Sequence, residues 1–357
     1  MKILTVIGAR PQFIKAAVVS RAFAIHRSEV REILVHTGQH YDTNMSDVFF
    51  EELSISHPDY NLGIGGGSHA QNTGRMLEKL EALMVTEKPA LVLVYGDTDS
   101  TLAGALAAAK LHIPVAHVEA GLRSYNRRMP EEINRILTDH VSTFLFVPSK
   151  AALRNLLNEG IPKEKIHVVG DVMCDAARYF EECARKPDWF DALDIEIGEF
   201  VLCTIHRAEN TNDSQNIKDI FEGLVGSCMP VILPLHPRTR IVLQAMGIPL
   251  PTGIRVVDPV GYLEMTWLEM NCRIIATDSG GIQKEAYFHN KMCVTLREET
   301  EWTELVDNGF NIVAGTNSYK ITEALTQKNL MVNSETSLYG QADAATKIAA
   351  LIVENYM

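Results

Sequence analysis

The six cysteines, Cys174, Cys183, Cys203, Cys228, Cys272 and Cys293, form no Cys-x-x-Cys pair and no Cys/His spacing of a metal knuckle. That absence excludes a zinc or disulfide framework of the usual spacing, so no metal is expected and a reduced, cytoplasmic setting is the simplest one. Basic residues are the minority, 33 Lys and Arg against 45 Asp and Glu, and the formal net charge is −12. A general nucleic-acid partner is thereby excluded, although a local positive pocket for a small anion is not. With no long apolar run and no basic leader, neither a membrane partner nor a signal peptide is expected. HExxH, Walker and nucleophile-elbow motifs are lacking too. The glycine-rich stretch GIGGGSH, Gly63 to His69, does not complete a dinucleotide fingerprint, because Ser68 stands where the last glycine belongs. It reads as a flexible loop over a cleft, and no nicotinamide cofactor is implied.

What is there is a long alternation of strand and helix patterns over 357 residues, too many for one ordinary core. LVLVYGD (91–97) and PVAHVEAG (114–121) are continuous apolar runs without the alternation of a half-solvated sheet, so they read as central parallel strands. KILTVIG, REILVHTG, TFLFVPS and IHVVGDV extend that series, and FVLCTIHR, CMPVILPLH, IRVVDP, CRIIATDSGG and KMCVTLR begin a second one. The fold class expected is α/β, with two Rossmann-like doubly wound domains facing a cleft. The expected domains are 1–168, 169–340 and a helix over 341–357 that packs back on the first domain. The segment ARKPDWFDALDIEIGEF reads as a surface connection.

In an open parallel sheet, ligands sit outside the carboxyl ends of the strands, and the polar clusters fall there. Asp97 and Glu119 each end a strand, and the basic loop after Glu119 leads to Glu131 and Glu132. Arg10 and Lys15 flank a helix start with Pro11 near its first position, a place suited to a phosphate. Ser279, Gly280 and Gly281 form a strand-to-helix turn open to a pyrophosphate, and Glu285 follows where it can accept from ribose hydroxyls. His206, Arg207, Glu209 and Asn210 end one strand, His236 and Arg238 another, and Gln39 and His40 form a plausible cleft wall.

Taken together, GARPQFIK, HTGQHYD, GDTDSTLAG, HVEAGLRS, MPEEINR, HRAEN and DSGGIQKEA resemble, in order and across essentially the whole chain, the non-hydrolysing UDP-N-acetylglucosamine 2-epimerase family. The resemblance implies a GT-B-type fold, a UDP-sugar substrate, no cofactor, and a homodimer. It places catalytic roles on Asp97, Glu119, Glu131 and His206, and substrate or UDP contacts on Arg10, Lys15, Gln39, His236, Ser279, Gly280, Gly281 and Glu285. The implied reaction reverses C2 of a UDP-2-acetamido sugar by eliminating and re-adding UDP through a 2-acetamidoglucal. The RSYNRRM loop, with Arg127 and Arg128, is similar to a branch acting on UDP-2,3-diacetamido-2,3-dideoxy-glucuronate, and these arginines are the candidates for sugar specificity. Gln39 and Gln71 match glutamines by which many bacterial members bind a second, activating UDP-sugar; Asp42 and Ala70 depart from that set. A GT-B glycosyltransferase is the alternative of another reaction class.

Overall fold

The computed structural model describes residues 1–26, 28–39, 56–235, 237–327 and 337–356. His40, Asp42 and His236, and the side chains of Arg10 and Arg238, lie outside the described residues. The chain divides into two compact units, Met1–Ala176 with Ser337–Met357, and Ala177–Thr336. The division thus falls after Ala176 rather than after Val168, and the C-terminal helix belongs to the first unit.

Unit 1 is a seven-stranded parallel sheet: β1 (Lys2–Ile7), β2 (Arg31–His36), β3 (Tyr60–Asn61), β4 (Leu91–Tyr95), β5 (Val115–Val118), β6 (Phe144–Val147) and β7 (Ile166–Val168). The spatial order is β3-β2-β1-β4-β5-β6-β7. β1, β4 and β5 are buried almost throughout, which explains their unbroken apolar sequence. One sheet face packs Leu4, Val6, Val92 and Val94 against Met76, Leu80, Ala103 and Ala107. The helix Ala344–Tyr356 packs on the helix Arg10–Ile25. Its first turn is held by Asp175, which accepts from the amides of Ala344 (3.2 Å) and Ala345 (2.8 Å).

Unit 2 repeats the plan with six parallel strands: β8 (Val201–Thr204), β9 (Val231–Pro234), β10 (Ile254–Val257), β11 (Ile274–Thr277), β12 (Cys293–Thr295) and β13 (Asn311–Val313), ordered β10-β9-β8-β11-β12-β13. Three expectations change here. β3 and β13 were not anticipated: with two and three residues, they are too short to show a pattern. The segment ARKPDWFDALDIEIGEF is not only surface. Phe190 is buried, its ring 5.6 Å from Phe200 and 4.9 Å from Trp267, because Trp189, Phe190, Leu193 and Ile195 cover one face of this sheet. Finally, GIGGGSH is the entry to a 19-residue helix, His69–Glu87. Ser68 caps it by accepting from the Gln71 amide while Gln71 reaches back to the Ser68 amide, so polar Ser68 and His69 serve helix initiation.

Candidate active site

Both sheets reverse their winding once, between β1 and β4 in unit 1 and between β8 and β11 in unit 2. Asp97 follows β4, His206 follows β8 and Ser279 follows β11, at strand ends where neighbouring crossovers diverge and leave room for a ligand, and Glu119 follows the adjacent β5.

In unit 1, β1 runs into the turn Gly8-Ala9 and the helix Arg10–Ile25, with Pro11 in its first turn. Gln12, fully buried, ties this turn to the end of β4. Its Oε1 accepts from the amides of Gly8 (2.8 Å) and Ala9 (3.0 Å), and its Nε2 donates to the Tyr95 carbonyl (2.7 Å) and the Thr98 and Thr101 hydroxyls. Lys15, one turn on, pairs with Glu119, and both are buried at 8% and 9% exposure. Lys15 is thus a counter-ion for Glu119, a role its place in the chain did not announce. Asp97 keeps about a third of its side chain exposed and binds Arg135 Nη2 at 2.5 Å. Arg135 also reaches Glu132 at 3.0 Å. Glu119 takes φ +72, the left-handed region, directly after β5. Gly96, at φ +62, lies against it: a Cβ there would stand 3.2 Å from Glu119 Oε2 and 3.5 Å from Lys15 Nζ. Asp97 and Glu119 are therefore brought to neighbouring strand ends, each beside a cation.

The two glutamates after the loop separate. Glu131 is exposed in the first turn of the helix Pro130–Val141, whereas Glu132 is buried. Glu132 accepts from the Ser124 amide and hydroxyl, the Tyr125 amide and Arg135, and so folds the loop that carries Arg127 and Arg128. Both arginines are exposed. Gln39 turns its Oε1 to the amide (3.1 Å) and hydroxyl (2.6 Å) of Ser100 at the start of the helix Asp99–Lys110. His69 pairs with Asp99 in the same turn, at 2.9 Å.

In unit 2, Asp278 follows β11 and is completely buried. It accepts from the His206 and Arg207 amides (both 3.0 Å to Oδ2), from Asn210 Nδ2 (3.1 Å), and from the His206 ring Nδ1 (2.8 Å). Burial pushes this carboxyl up, but the hydrogen bonds and charge of His206 and the two amides outweigh it and hold the group below the usual carboxylate range. The His206 ring, more than half exposed, is thus aimed by a fixed anion. Ser279 caps the helix Gly280–Phe288 by accepting from the Ile282 amide. Gly280 lies close under Glu301: a Cβ would come within 2.3 Å of Glu301 Oε1, so that side chain would have to move, while the Gly280 carbonyl accepts from Trp302 Nε1 (2.9 Å). Glu285 is buried one turn along and hydrogen-bonded to Tyr262.

Gln12 and Asp278, which were not singled out from sequence, and Glu132, named there without a role, carry much of this architecture. Among the described residues, no group of three His, Cys, Asp or Glu side chains is placed to hold a metal ion, and no helix is long and apolar enough to cross a membrane.

Two parallel, doubly wound sheets with strand-end carboxylates in one and a glycine turn beside an aimed histidine in the other define a two-unit α/β enzyme of the GT-B fold class. The chain belongs to the UDP-N-acetylglucosamine 2-epimerase family, whose sequence model matches residues 24–353. It is 53% identical over 99% of its length, and 100% of the relative's, to UDP-2,3-diacetamido-2,3-dideoxy-D-glucuronate 2-epimerase of Pseudomonas aeruginosa. It is 43% identical to UDP-N-acetylglucosamine 2-epimerase of Methanocaldococcus jannaschii, over 94% of this chain and 93% of that one. Similar solved structures include the M. jannaschii UDP-GlcNAc 2-epimerase in complex with UDP-GlcNAc and UDP (TM-score 0.88, 40% identity, 99% and 100% covered). The Neisseria meningitidis UDP-GlcNAc 2-epimerase bound to UDP-GlcNAc is another (TM-score 0.89, 32% identity, 99% and 100% covered).

Proposed function

We propose that this chain interconverts the C2 epimers of a UDP-2-acetamido sugar by eliminating and re-adding UDP. The observation that carries the reading is the pairing of Asp97 and Glu119 at adjacent strand ends, each beside a cation, in a chain of this family. C2 of such a sugar has no neighbouring carbonyl to acidify its hydrogen, so direct deprotonation is costly. Elimination avoids the carbanion. A carboxylate takes the C2 proton, the C–H electron pair becomes the C1–C2 double bond, and the C1–O bond breaks with its pair leaving on the UDP β-phosphate. Re-addition of UDP to C1 with a proton delivered to the opposite face of C2 completes inversion. Asp97, Glu119 and Glu131 are assigned to the proton transfers, with His206 as a further catalytic group. Arg10, Lys15, His236, Ser279, Gly280, Gly281 and Glu285 are assigned to substrate and nucleotide. Lys15 serves there while also neutralising Glu119. No cofactor enters this scheme.

For the sugar itself, the 53% identity to the diacetamido-glucuronate enzyme over both full lengths favours a uronate at C6. Arg127 and Arg128, exposed on the loop that Glu132 folds just before Glu131, are assigned to that carboxylate, a partner that a hydroxymethyl group cannot replace. UDP-GlcNAc is the alternative substrate. A homodimer working in the cytoplasm completes the reading, and light scattering of the purified protein checks the oligomer.

The test is incubation with each UDP-sugar in deuterated water. Deuterium at C2 of recovered nucleotide sugar together with its epimer supports the reaction, and the better substrate names the sugar. Release of free sugar would indicate a hydrolysing enzyme, transfer to an acceptor a glycosyltransferase, and binding without exchange would reject catalysis altogether.

A further inference from the structure

β5 reads Val115-Ala116-His117-Val118, and a histidine in the middle of a completely buried strand must find partners there. His117 finds two. Its Nδ1 lies 2.7 Å from Asp139 Oδ1 and its Nε2 lies 2.7 Å from the Gly96 carbonyl oxygen. Asp139, also buried, accepts at its other oxygen from the Gly121 amide (3.1 Å) and from Arg123 Nη1 (2.7 Å). Arg123 in turn grips Glu159 through two bonds of 2.7 Å and its own neighbour's carbonyl at 2.6 Å.

A backbone carbonyl can only accept. Asp139 receives bonds from Arg123 and the Gly121 amide at one oxygen; burial pushes its carboxyl up, but the hydrogen bonds and charges of His117 and Arg123 outweigh that and hold it below the usual carboxylate range. It too acts as an acceptor. Facing a carboxylate and a carbonyl, both nitrogens of His117 are placed to donate.

The two peptides that this pair touches are the ones that set the unit 1 carboxylates. The Gly96 carbonyl belongs to the peptide linking Gly96 to Asp97. Gly96 is in the left-handed region, and its Cα faces Glu119 and Lys15. Gly121, at φ +81, ends the short turn that begins with Glu119. A Cβ there would come within 2.6 Å of the Ala152 carbonyl, so the position admits only glycine. One turn carries Asp97 and the other Glu119, and the His117–Asp139 pair bonds to both.

We infer that His117 and Asp139 are positioning residues: a buried imidazolium–carboxylate pair that fixes the separation of Asp97 and Glu119 by clamping the Gly96 and Gly121 peptides. The inference rests on the catalytic assignment of those two acids. The pair touches neither sugar nor nucleotide. It acts by holding two turns in one relation, and small displacements of reacting groups are expensive in rate, about a hundredfold for a shift near 1 Å.

Two substitutions separate the two bonds. The side-chain nitrogen of asparagine overlays Nδ1 and that of glutamine overlays Nε2. His117→Asn keeps a donor for Asp139 and loses the one for Gly96, while His117→Gln keeps the donor for Gly96. For His117→Asn we expect kcat to fall about a hundredfold with KM changed less than about threefold, the split expected of lost transition-state geometry. His117→Gln should recover at least tenfold of that loss. Nitrogen-15 NMR of histidine-labelled wild-type protein, with His117 assigned by the signal lost in either variant, should show both ring nitrogens protonated at assay pH. A neutral, singly protonated His117 would overturn the inference. So would wild-type kcat in His117→Asn, or equal losses in the two variants that merely follow their melting temperatures. If His117→Asn does not fold, Asp139→Asn takes its place, with the same fall in kcat at nearly constant KM expected. Wild-type protein that exchanges no C2 hydrogen on either UDP-sugar would reject the functional reading instead, and the NMR result decides the state of the ring independently of turnover.

Discussion

Asp97 and Asp278 occupy the same station in two different sheets. Each follows the strand on the far side of the winding reversal, β4 in unit 1 and β11 in unit 2, and each stands just before a helix N-terminus. Their surroundings part company. Asp97 keeps about a third of its side chain exposed and meets one guanidinium, whereas Asp278 is fully buried under two backbone amides, an asparagine and a histidine ring. Topology gives the two carboxylates the same position, and the donors around each decide how much of it stays open. Unit 1 thereby presents acids, while unit 2 presents a glycine turn and an oriented imidazole.

The largest effect expected lies on the reacting side. Asp97→Asn and Glu119→Gln should each lower kcat by about two to four orders of magnitude while UDP binding, measured by calorimetry, stays within a few-fold. Loss of UDP binding in step with turnover would erase the division of labour between the units. Asp278→Asn should lower kcat less, by about ten- to a hundredfold, because His206 remains but is no longer aimed. It should also lower the melting temperature, since amide hydrogens would face donors inside a closed site; a variant with unchanged melting temperature would make Asp278 the equal of Asp97. Smaller again is Glu285→Gln, for which about tenfold weaker UDP binding is expected with kcat at saturation little changed.

The smallest effect concerns the segment that returns to unit 1. Burial raises the Asp175 carboxyl to about 6, only partly opposed by the Ala345 and Ala344 amides. Since the folded value lies above the unfolded one of 3.8, the associated stability is present below about pH 4 and is lost as pH rises through about 6. The difference in unfolding free energy between wild type and Asp175→Asn should change by about 1 kcal/mol across that interval, with the wild type losing ground as pH rises. Urea titrations at pH 4 and 7 check the sign.

The parallel strands were legible because burial on both faces forces continuous apolar sequence, and strand ends then located Asp97, Glu119, His206 and Ser279 without coordinates. The connections between them were not. Gln12 meets Tyr95, His117 meets Asp139 and Asp278 meets Asn210, pairs separated by 83, 22 and 68 positions that no local pattern joins. One signal was available: a histidine inside the apolar run of β5 announces a buried polar partner, though not which one. Lys15 and Gln39 show the converse. Their residue types suit a ligand, and the fold gives them protein partners as well, Glu119 and Ser100, which the sequence did not announce.

Glu119 is a glutamate in a backbone conformation that suits glycine, at φ +72, and it is set against a buried lysine. Both conditions oppose stability: the left-handed region costs a residue with a Cβ about 1 kcal/mol, and ordering a desolvated ion pair is less favourable than packing apolar atoms in its place. A laboratory selection for heat resistance that made no demand on turnover should therefore drift at this spot, toward glycine at Glu119 together with an apolar residue at Lys15, and the hardiest survivors would be inert. On the proposed assignment of Glu119 and Lys15, the wish to last longer and the ability to work pull on the same two codons.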